Sequence, residues 1–112
     1  MTGDNFFDKV YQVVRQVPAG RVTSYGAIAH YLGTKRSARV VGYAMGAAGS
    51  AQPPVPAHRV VNSQGLLTGK FHFPTFNLME QMLASEGVIV RDNQVQNFKA
   101  VFWDPAVELS LD

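Results

Sequence analysis

The sequence predicts one mainly α-helical domain with a small β component, and two of its helices form a helix-turn-helix. Apolar residues recur at the helical period of 3.6 in several segments, and residues that favour helix starts and stops flank those segments. Short β-branched runs between turn-forming residues indicate strands. A chain of 112 residues favours a single domain, with an expected core over about residues 5–90 and a C-terminal extension over about 91–112.

The first predicted helix begins after Asp4, which can cap it, and ends at Pro18-Ala19-Gly20. Its apolar residues lie on one helical face and are Phe6, Phe7, Val10, Val13, Val14 and Val17. The residues from Arg21 to Thr23 then form a short extended link.

The helix-turn-helix is predicted from two capped segments joined by a tight turn. Ser24 caps the first of these helices and Gly33 ends it, whereas Ser37 caps the second after the turn 34–36. The inward positions of the pair are Ile28, Ala29 and Leu32, then Val40, Val41, Ala44, Met45 and Ala48. Two short helices in this arrangement are typical of the motif.

The second half of the chain reads as a mixture of strands, turns and one helix. Three prolines in residues 49–57 exclude a helix there, and Val60-Val61 forms a short strand before the turn 62–65. Thr75 is predicted to cap a last helix that ends at Gly87, with Met79, Met82 and Leu83 inward. A hairpin follows, with Asp92-Asn93 at its turn, and the tail around Trp103 packs as an extra segment that offers a surface to a protein partner.

Composition excludes several classes of function. The absence of cysteine excludes disulfides, thiolate metal sites and a cysteine nucleophile, and the three histidines lack zinc-site spacing, so neither metal nor cofactor is expected. No apolar run reaches the length of a membrane span, and the acidic, aromatic N-terminus does not resemble a signal peptide. We therefore expect a cytoplasmic protein, associated with the nucleoid in a bacterium or nuclear in a eukaryote. A formal charge of +2 permits a nucleic-acid partner without requiring one.

Four segments together resemble the DNA-binding domain of the O6-alkylguanine-DNA alkyltransferases. They are Pro18–Gly26 (PAGRVTSYG), Ser37–Gly42 (SARVVG), Pro56–Val61 (PAHRVV) and Ser85–Gly87 (SEG). Their order and spacing match over roughly residues 5–90. The resemblance implies a winged-helix-like helix-turn-helix domain, as in the alkyltransferase C-terminal domain.

Ala57 occupies the position at which the repair enzymes carry the cysteine that accepts the alkyl group. Alkyl transfer needs an ionisable nucleophile, and alanine has no lone pair to offer. The chain is therefore similar to the alkyltransferase-like proteins, which bind alkylated guanine without repairing it. This resemblance implies a monomer that binds double-stranded DNA from the minor groove, flips and holds O6-alkylguanine, and flags it for nucleotide excision repair proteins.

The resemblance also assigns DNA contacts to individual residues. Arg39 fills the place of the flipped base and bonds to the orphaned cytosine, a task that suits a flat, donor-rich guanidinium. Tyr25 presses on the phosphate of the target nucleotide, and Ser37 lies at the start of the helix that enters the groove. The small residues Ala38 and Gly42 allow that helix to approach the DNA closely.

The same resemblance predicts a lesion pocket around Ala57. Its other members are Tyr25, Val60, Ser63 and Lys70, of which Lys70 lies over the alkylated base and Ser63 bonds to a phosphate or to the lesion. His58 and Glu86 match the histidine and glutamate that help the enzymes form a thiolate. Without a thiol they are a retained scaffold, and Arg59 is expected in a structural salt bridge.

Plainer interpretations remain open beside these. Arg39 could be a solvated arginine at a helix start, Tyr25 a brace for its own helix, and Lys70 a surface lysine near phosphate. As a whole, the protein could instead be a helix-turn-helix transcription regulator, although Val, Val, Gly and Tyr after Arg39 suit base reading poorly. A hydrolytic dealkylase or glycosylase that uses His58 and Glu86 is a further alternative.

Overall fold

A computed structural model of the chain describes residues 5–33 and 38–109. Its helices are α1 Phe6–Arg15, α2 Tyr25–Leu32, α3 Ala38–Gly46, α4 Leu78–Ser85, α5 Phe98–Val101 and α6 Pro105–Glu108. Its strands are β1 Thr23–Ser24, β2 Val60–Val61, β3 Val90–Arg91 and β4 Gln94–Val95. Single turns of 3-10 helix cover Ala48–Ser50, Ala57–Arg59 and Lys70–His72. The mainly helical class with a small β component is confirmed.

The first helix has the predicted buried face but a different cap. The Asn5 side chain accepts a hydrogen bond of 2.8 Å from the Asp8 N–H, so Asn5 is the N-cap, while Asp4 lies outside the described residues. Val10 and Val14 are fully buried against the core. Val17 is also buried, although it follows the helix.

The helix pair α2 and α3 forms as predicted where the structure describes it. The Ser24 hydroxyl accepts a hydrogen bond of 3.1 Å from the Ala27 N–H, and Gly33 ends α2 in the left-handed conformation at φ +64°. Residues 34–36 and the predicted cap Ser37 lie outside the described part of the chain. The two helices pack against each other, which leaves the exposed side of α3 on the surface.

The residues that lead into α2 pair with two other parts of the chain. Strand β1 runs parallel to β2, with Thr23 opposite Val60 and Ser24 opposite Val61. Val22, just before β1, pairs with the C-terminal segment: its N–H donates to the Val101 carbonyl at 3.0 Å, and its carbonyl accepts from the Trp103 N–H at 2.7 Å. This pairing fixes the tail against the centre of the fold.

Trp103 belongs to the hydrophobic core, so its side chain offers no surface to a partner. Its side chain is 5% exposed and packs in the cluster that contains the buried faces of α1, α2 and α3. The sequence shows an aromatic residue in a tail, whereas the backbone bonds to Val22 turn that tail inward.

Three further expectations need correction. Thr75 does not cap α4, because Asn77 precedes the helix and the Thr75 hydroxyl donates to the Asn77 side chain at 3.1 Å. A 3-10 turn occupies residues 48–50, just before the prolines that exclude a longer helix. The hairpin forms, with Asp92 and Asn93 at positive φ, but its second strand is short and the helices α5 and α6 follow it.

Candidate functional site

Ala57 lies in the wall of a cavity of about 840 Å³. It is the first residue of the 3-10 turn that leads into β2, and Pro56 before it holds the chain out of a longer helix. The lining residues are Arg15, Tyr25, Met45, Gly46, Ala48, Gly49, Pro54, Val55, Pro56, Ala57, His58, Arg59, Gly69, His72, Phe73, Pro74 and Met82. The cavity is therefore built from the end of α1, from α3, and from the loops on both sides of β2.

Behind Ala57, three side chains form a closed cluster. His58 Nε2 lies 2.7 Å from Glu86 Oε2, and Arg59 donates to the same carboxylate from Nη2 at 2.6 Å and from Nε at 3.1 Å. Arg59 also donates to the Val17 carbonyl at 2.9 Å. The predicted scaffold of His58 and Glu86 is present, and so is the Arg59 salt bridge.

The Glu86 carboxylate is held in its ionised form. Burial alone would raise the pKa of Glu86, but the hydrogen bonds from Arg59 and His58 outweigh it and lower the pKa to about 2. A carboxylate this acidic accepts a proton from neither neighbour at neutral pH. The cluster therefore holds a fixed negative charge that Arg59 balances at close range.

The ring of His58 is oriented by this carboxylate. Because Glu86 is ionised, the contact requires a proton on Nε2, which donates to the carboxylate. Nδ1 is buried and makes no hydrogen bond with the residues that the structure describes. Among these residues, the ring is therefore held through Nε2 alone.

A second, more open hollow of about 580 Å³ adjoins the first along α3. Its lining residues are Tyr25, Ala38, Arg39, Gly42, Tyr43, Gly46, Thr68 and His72. Ala38 and Arg39 are exposed, as expected for residues that contact an external partner. A methyl group at Gly42 would meet nothing within 4 Å, so packing inside the protein does not require glycine there.

Tyr25 lines both hollows and is fixed where they meet. Its hydroxyl is hydrogen-bonded to the Thr68 side chain, and burial raises the pKa of Tyr25. A Cβ at Gly69 would lie 2.8 Å from that hydroxyl, which is closer than real Cβ contacts allow. Gly69 is therefore required by the position of Tyr25.

His72 is a site residue that the sequence reasoning missed. It lines both hollows beside Tyr25, and its ring lies so close to α3 that a Cβ at Gly46 would be 3.0 Å from its Cε1 atom. Polar and aromatic residues alternate after Thr68 in the sequence, but this pattern does not show which side chain of the loop faces the site.

Three of the residues assigned to the lesion pocket lie elsewhere. Val60 is 1% exposed in the core, because both residues of β2 are buried between the layers. Ser63 is exposed in the turn after β2, and among the described residues it lines neither hollow. Lys70 lines a separate hollow of about 120 Å³ beside Glu80, and its Nζ lies 5.4 Å from the centre of the Phe71 ring.

Residues 5–33 and 38–109 contain neither a metal-binding cluster nor a membrane-spanning helix. No group of three histidine, aspartate or glutamate side chains in these ranges is placed to hold a metal ion. No helix among these residues has the length and apolar character to cross a membrane.

Comparison with known proteins gives a consistent match. Residues 5–88 match the family described as 6-O-methylguanine DNA methyltransferase, DNA binding domain. Alkyltransferase-like protein 1 of Schizosaccharomyces pombe is 35% identical over 99 residues, which cover 88% of this chain and 91% of that protein. The DNA base-flipping protein of Escherichia coli is 35% identical over 103 residues, covering 90% and 76%.

Solved structures agree with the sequence matches. The crystal structure of Schizosaccharomyces pombe Atl1 in complex with DNA containing O6-carboxymethylguanine matches with a TM-score of 0.77 at 34% identity, over 94% of this chain and 100% of that one. The Mycobacterium tuberculosis OGT in complex with DNA matches with a TM-score of 0.64 at 33% identity, over 76% and 51%. The helix-turn-helix architecture is thus confirmed together with the fold class.

Proposed function

The chain belongs to the family of 6-O-methylguanine DNA methyltransferase DNA-binding domains, and from this premise we propose that it binds O6-alkylguanine in double-stranded DNA without removing the alkyl group. The observation that carries the proposal is Ala57 in the wall of a large cavity, beside an intact His58–Glu86 pair. Tyr25 and Arg39 line the adjoining hollow, whereas a methyl group stands at the position proposed for the alkyl acceptor.

The chemistry of the repair enzymes is not available to this cavity. Alkyl transfer forms a bond from carbon to a nucleophile and breaks the bond from that carbon to guanine O6. Ala57 has no lone pair, and the full sequence contains no cysteine that could substitute for it. The space left by the missing sulfur joins the cavity, where each buried methylene of an alkyl group contributes about 0.8 kcal/mol.

Recognition of O6 requires the nucleotide to leave the base stack, at a cost of a few kcal/mol. We assign the stabilisation of the vacated stack to Arg39, which is exposed on α3 and lines the open hollow. Tyr25 stands between this hollow and the cavity, so it is placed to hold the phosphate while the base enters. The names and ligands of the two relatives, one a base-flipping protein and one solved on damaged DNA, support this assignment.

We propose that the stable complex of the protein with damaged DNA signals the position of the lesion to other repair proteins. Minor-groove binding with a flipped base bends DNA, and a stable, bent complex is a suitable signal for nucleotide excision repair proteins. One cavity holds one base, so a monomer is sufficient. With DNA as the proposed partner, we expect a cytoplasmic protein that is associated with the nucleoid in a bacterium, or a nuclear protein in a eukaryote.

The proposal is tested with two duplexes that differ only in one O6-methyl group. We expect tighter binding to the methylated duplex, with the masses of DNA and protein unchanged after long incubation. Loss of the methyl group from the DNA would show a dealkylase. Equal affinity for the two duplexes, with preference for some other sequence, would show a transcription regulator instead.

The Arg39→Ala variant tests the flipping assignment. Truncation of an interface arginine of this kind costs about 2 kcal/mol or more, so we expect lesion binding to weaken at least about 30-fold. Arg91→Ala is the matched control, because Arg91 is an exposed arginine on β3 that lines neither hollow. Arg39 is exposed, so thermal stability should be the same in both variants. Retained lesion affinity in Arg39→Ala would contradict the assignment.

A further inference from the structure

An arginine from the first helix lies in the wall of the Ala57 cavity. Arg15 is in the last turn of α1, and its Nη2 and Nε atoms donate to the Pro53 carbonyl at 2.7 Å and 3.2 Å. The two bonds fix the plane of the guanidinium against the proline-rich loop that precedes Ala57. The resemblance to the repair enzymes assigns no role to this position.

The charge of Arg15 is not balanced within the cavity. The described lining residues include no aspartate or glutamate, and no described carboxylate lies within ion-pair distance of Arg15. Glu86, in the cluster behind Ala57, is already bound by Arg59 and His58. Nη1 of Arg15 makes no hydrogen bond with the part of the chain that the structure describes.

The last turn of α1 favours a cation, and the loop contact uses Nη2 and Nε, but neither feature engages Nη1. A neutral amide could donate one of the hydrogen bonds to the Pro53 carbonyl, and the other lining residues near the loop are apolar. An arginine in these surroundings keeps donors and charge available for a ligand that enters the cavity. Carboxylates are the groups that its planar fork binds with the best geometry.

We propose that Arg15 makes the cavity selective for O6-alkylguanines whose substituent ends in an anionic group, a carboxylate in the simplest case. The proposal rests on the function proposed above, since the guanine must already be flipped toward Ala57. A longer substituent fills more of the cavity of about 840 Å³ than a methyl group does. If it ends in a carboxylate, it can pair with the Arg15 guanidinium, which has no carboxylate partner among the described residues.

The test compares duplexes that carry O6-carboxymethylguanine, O6-carbamoylmethylguanine, O6-methylguanine or guanine at one position. The first two substituents have nearly the same shape and differ in charge. We expect the unchanged protein to bind the carboxymethyl duplex about tenfold more tightly than the carbamoylmethyl duplex, as a charge-assisted hydrogen bond would give. Arg15→Gln should reduce this ratio to about one, and Arg15→Lys should retain part of it.

Matched controls separate the proposal from other outcomes. Affinity of Arg15→Gln for the methyl duplex should stay within about twofold of the original, as should all affinities of Arg91→Gln. A ratio of one in the unchanged protein overturns the proposal. So does a uniform loss of affinity for all four duplexes in Arg15→Gln, which would show a phosphate contact or a displaced loop.

A different result is expected if the protein does not recognise O6-alkylguanine at all. In that case it binds the methyl duplex and the unmodified duplex equally, and Arg39→Ala leaves its affinity for all four duplexes unchanged. If instead the methyl duplex is preferred but the charged and neutral substituents bind alike, the sensor function stands and the role of Arg15 is overturned.

Discussion

The two sides of the Ala57 cavity are built in opposite ways. On the inner side, His58, Arg59 and Glu86 bind one another, and Arg59 also binds a backbone carbonyl. On the outer side, Arg39 is exposed and Tyr25 and His72 lie at the junction of the two hollows. Glu86 is bound on the inner side by two neighbouring side chains, whereas Arg39 on the outer side faces a space that another molecule can enter.

This contrast teaches which parts of the site have a structural reason to be kept. A hydrogen-bonded cluster that holds α4 to the turn at Ala57 has a structural reason to persist, whether or not a nucleophile stands beside it. Arg39 has no such reason, because it is exposed on α3. Its position beside the open hollow therefore suits a binding role.

The largest effect is expected from breaking the inner cluster with Glu86→Ala. This change leaves Arg59 and His58 without their shared partner in a half-buried place, which costs about 3 kcal/mol of unfolding free energy. Urea denaturation followed by circular dichroism measures it. Glu80→Ala on the same helix is the control, since Glu80 is exposed and should cost about 0.5 kcal/mol or less. Equal losses in the two variants would mean that the cluster does not stabilise the fold.

Acid should weaken the same cluster in a defined range. The pKa of Glu86 is about 2 in the folded protein, against an ordinary value of 4.5, so its contribution is complete above pH 4.5 and is lost as the pH falls toward 2. Over this range Glu86 should give a slope approaching about 1.4 kcal/mol per pH unit. Unfolding free energies measured from pH 6 to pH 2 should show a shallower slope in Glu86→Gln. Parallel curves would contradict the low pKa.

On the outer side, Gly69→Ala should weaken lesion binding by displacing Tyr25. The added Cβ would lie 2.8 Å from the Tyr25 hydroxyl, and we expect a loss of about 1 kcal/mol, or fivefold in affinity. Tyr25→Phe removes the crowded oxygen, so adding Gly69→Ala to it should have almost no further effect. This double-mutant cycle isolates the contact. Additive losses would show that Gly69 acts independently of Tyr25.

The smallest signal is expected from restoring a nucleophile with Ala57→Cys. The new thiol would stand beside His58, and attack by its thiolate on the alkyl carbon forms an S–C bond while guanine leaves through O6. We expect slow, single-turnover transfer that adds one alkyl group to the protein, detected by mass spectrometry. Ala51→Cys controls for nonspecific alkylation. No transfer above that control would mean that the inner side has lost the geometry for the reaction as well as its thiol.

The sequence was most informative where structure is decided locally. The Ser24 cap, the Gly33 stop and the Asp92-Asn93 turn depend on neighbouring residues, and all three were predicted. The resemblance to a known family correctly paired His58 with Glu86, which periodicity alone would not reveal.

The rest depends on contacts between distant parts of the chain. No local pattern shows that Trp103 turns inward through the Val22 backbone, or that Arg15 and Ala57 share a cavity. Lys70 was assigned to the pocket by its place after the active-site strand, but the 3-10 turn that begins with it directs it toward Glu80. Site residues supplied by a loop are the hardest to place, because one turn decides which side chain faces inward.

Trp103 gives the protein an optical reporter. It is the sole tryptophan in the sequence, it is 5% exposed, and it lines neither hollow of the site. Its fluorescence should shift to longer wavelength when the core opens and water reaches the indole. Intrinsic emission can therefore follow unfolding in every variant without a label, while labelled DNA reports binding separately.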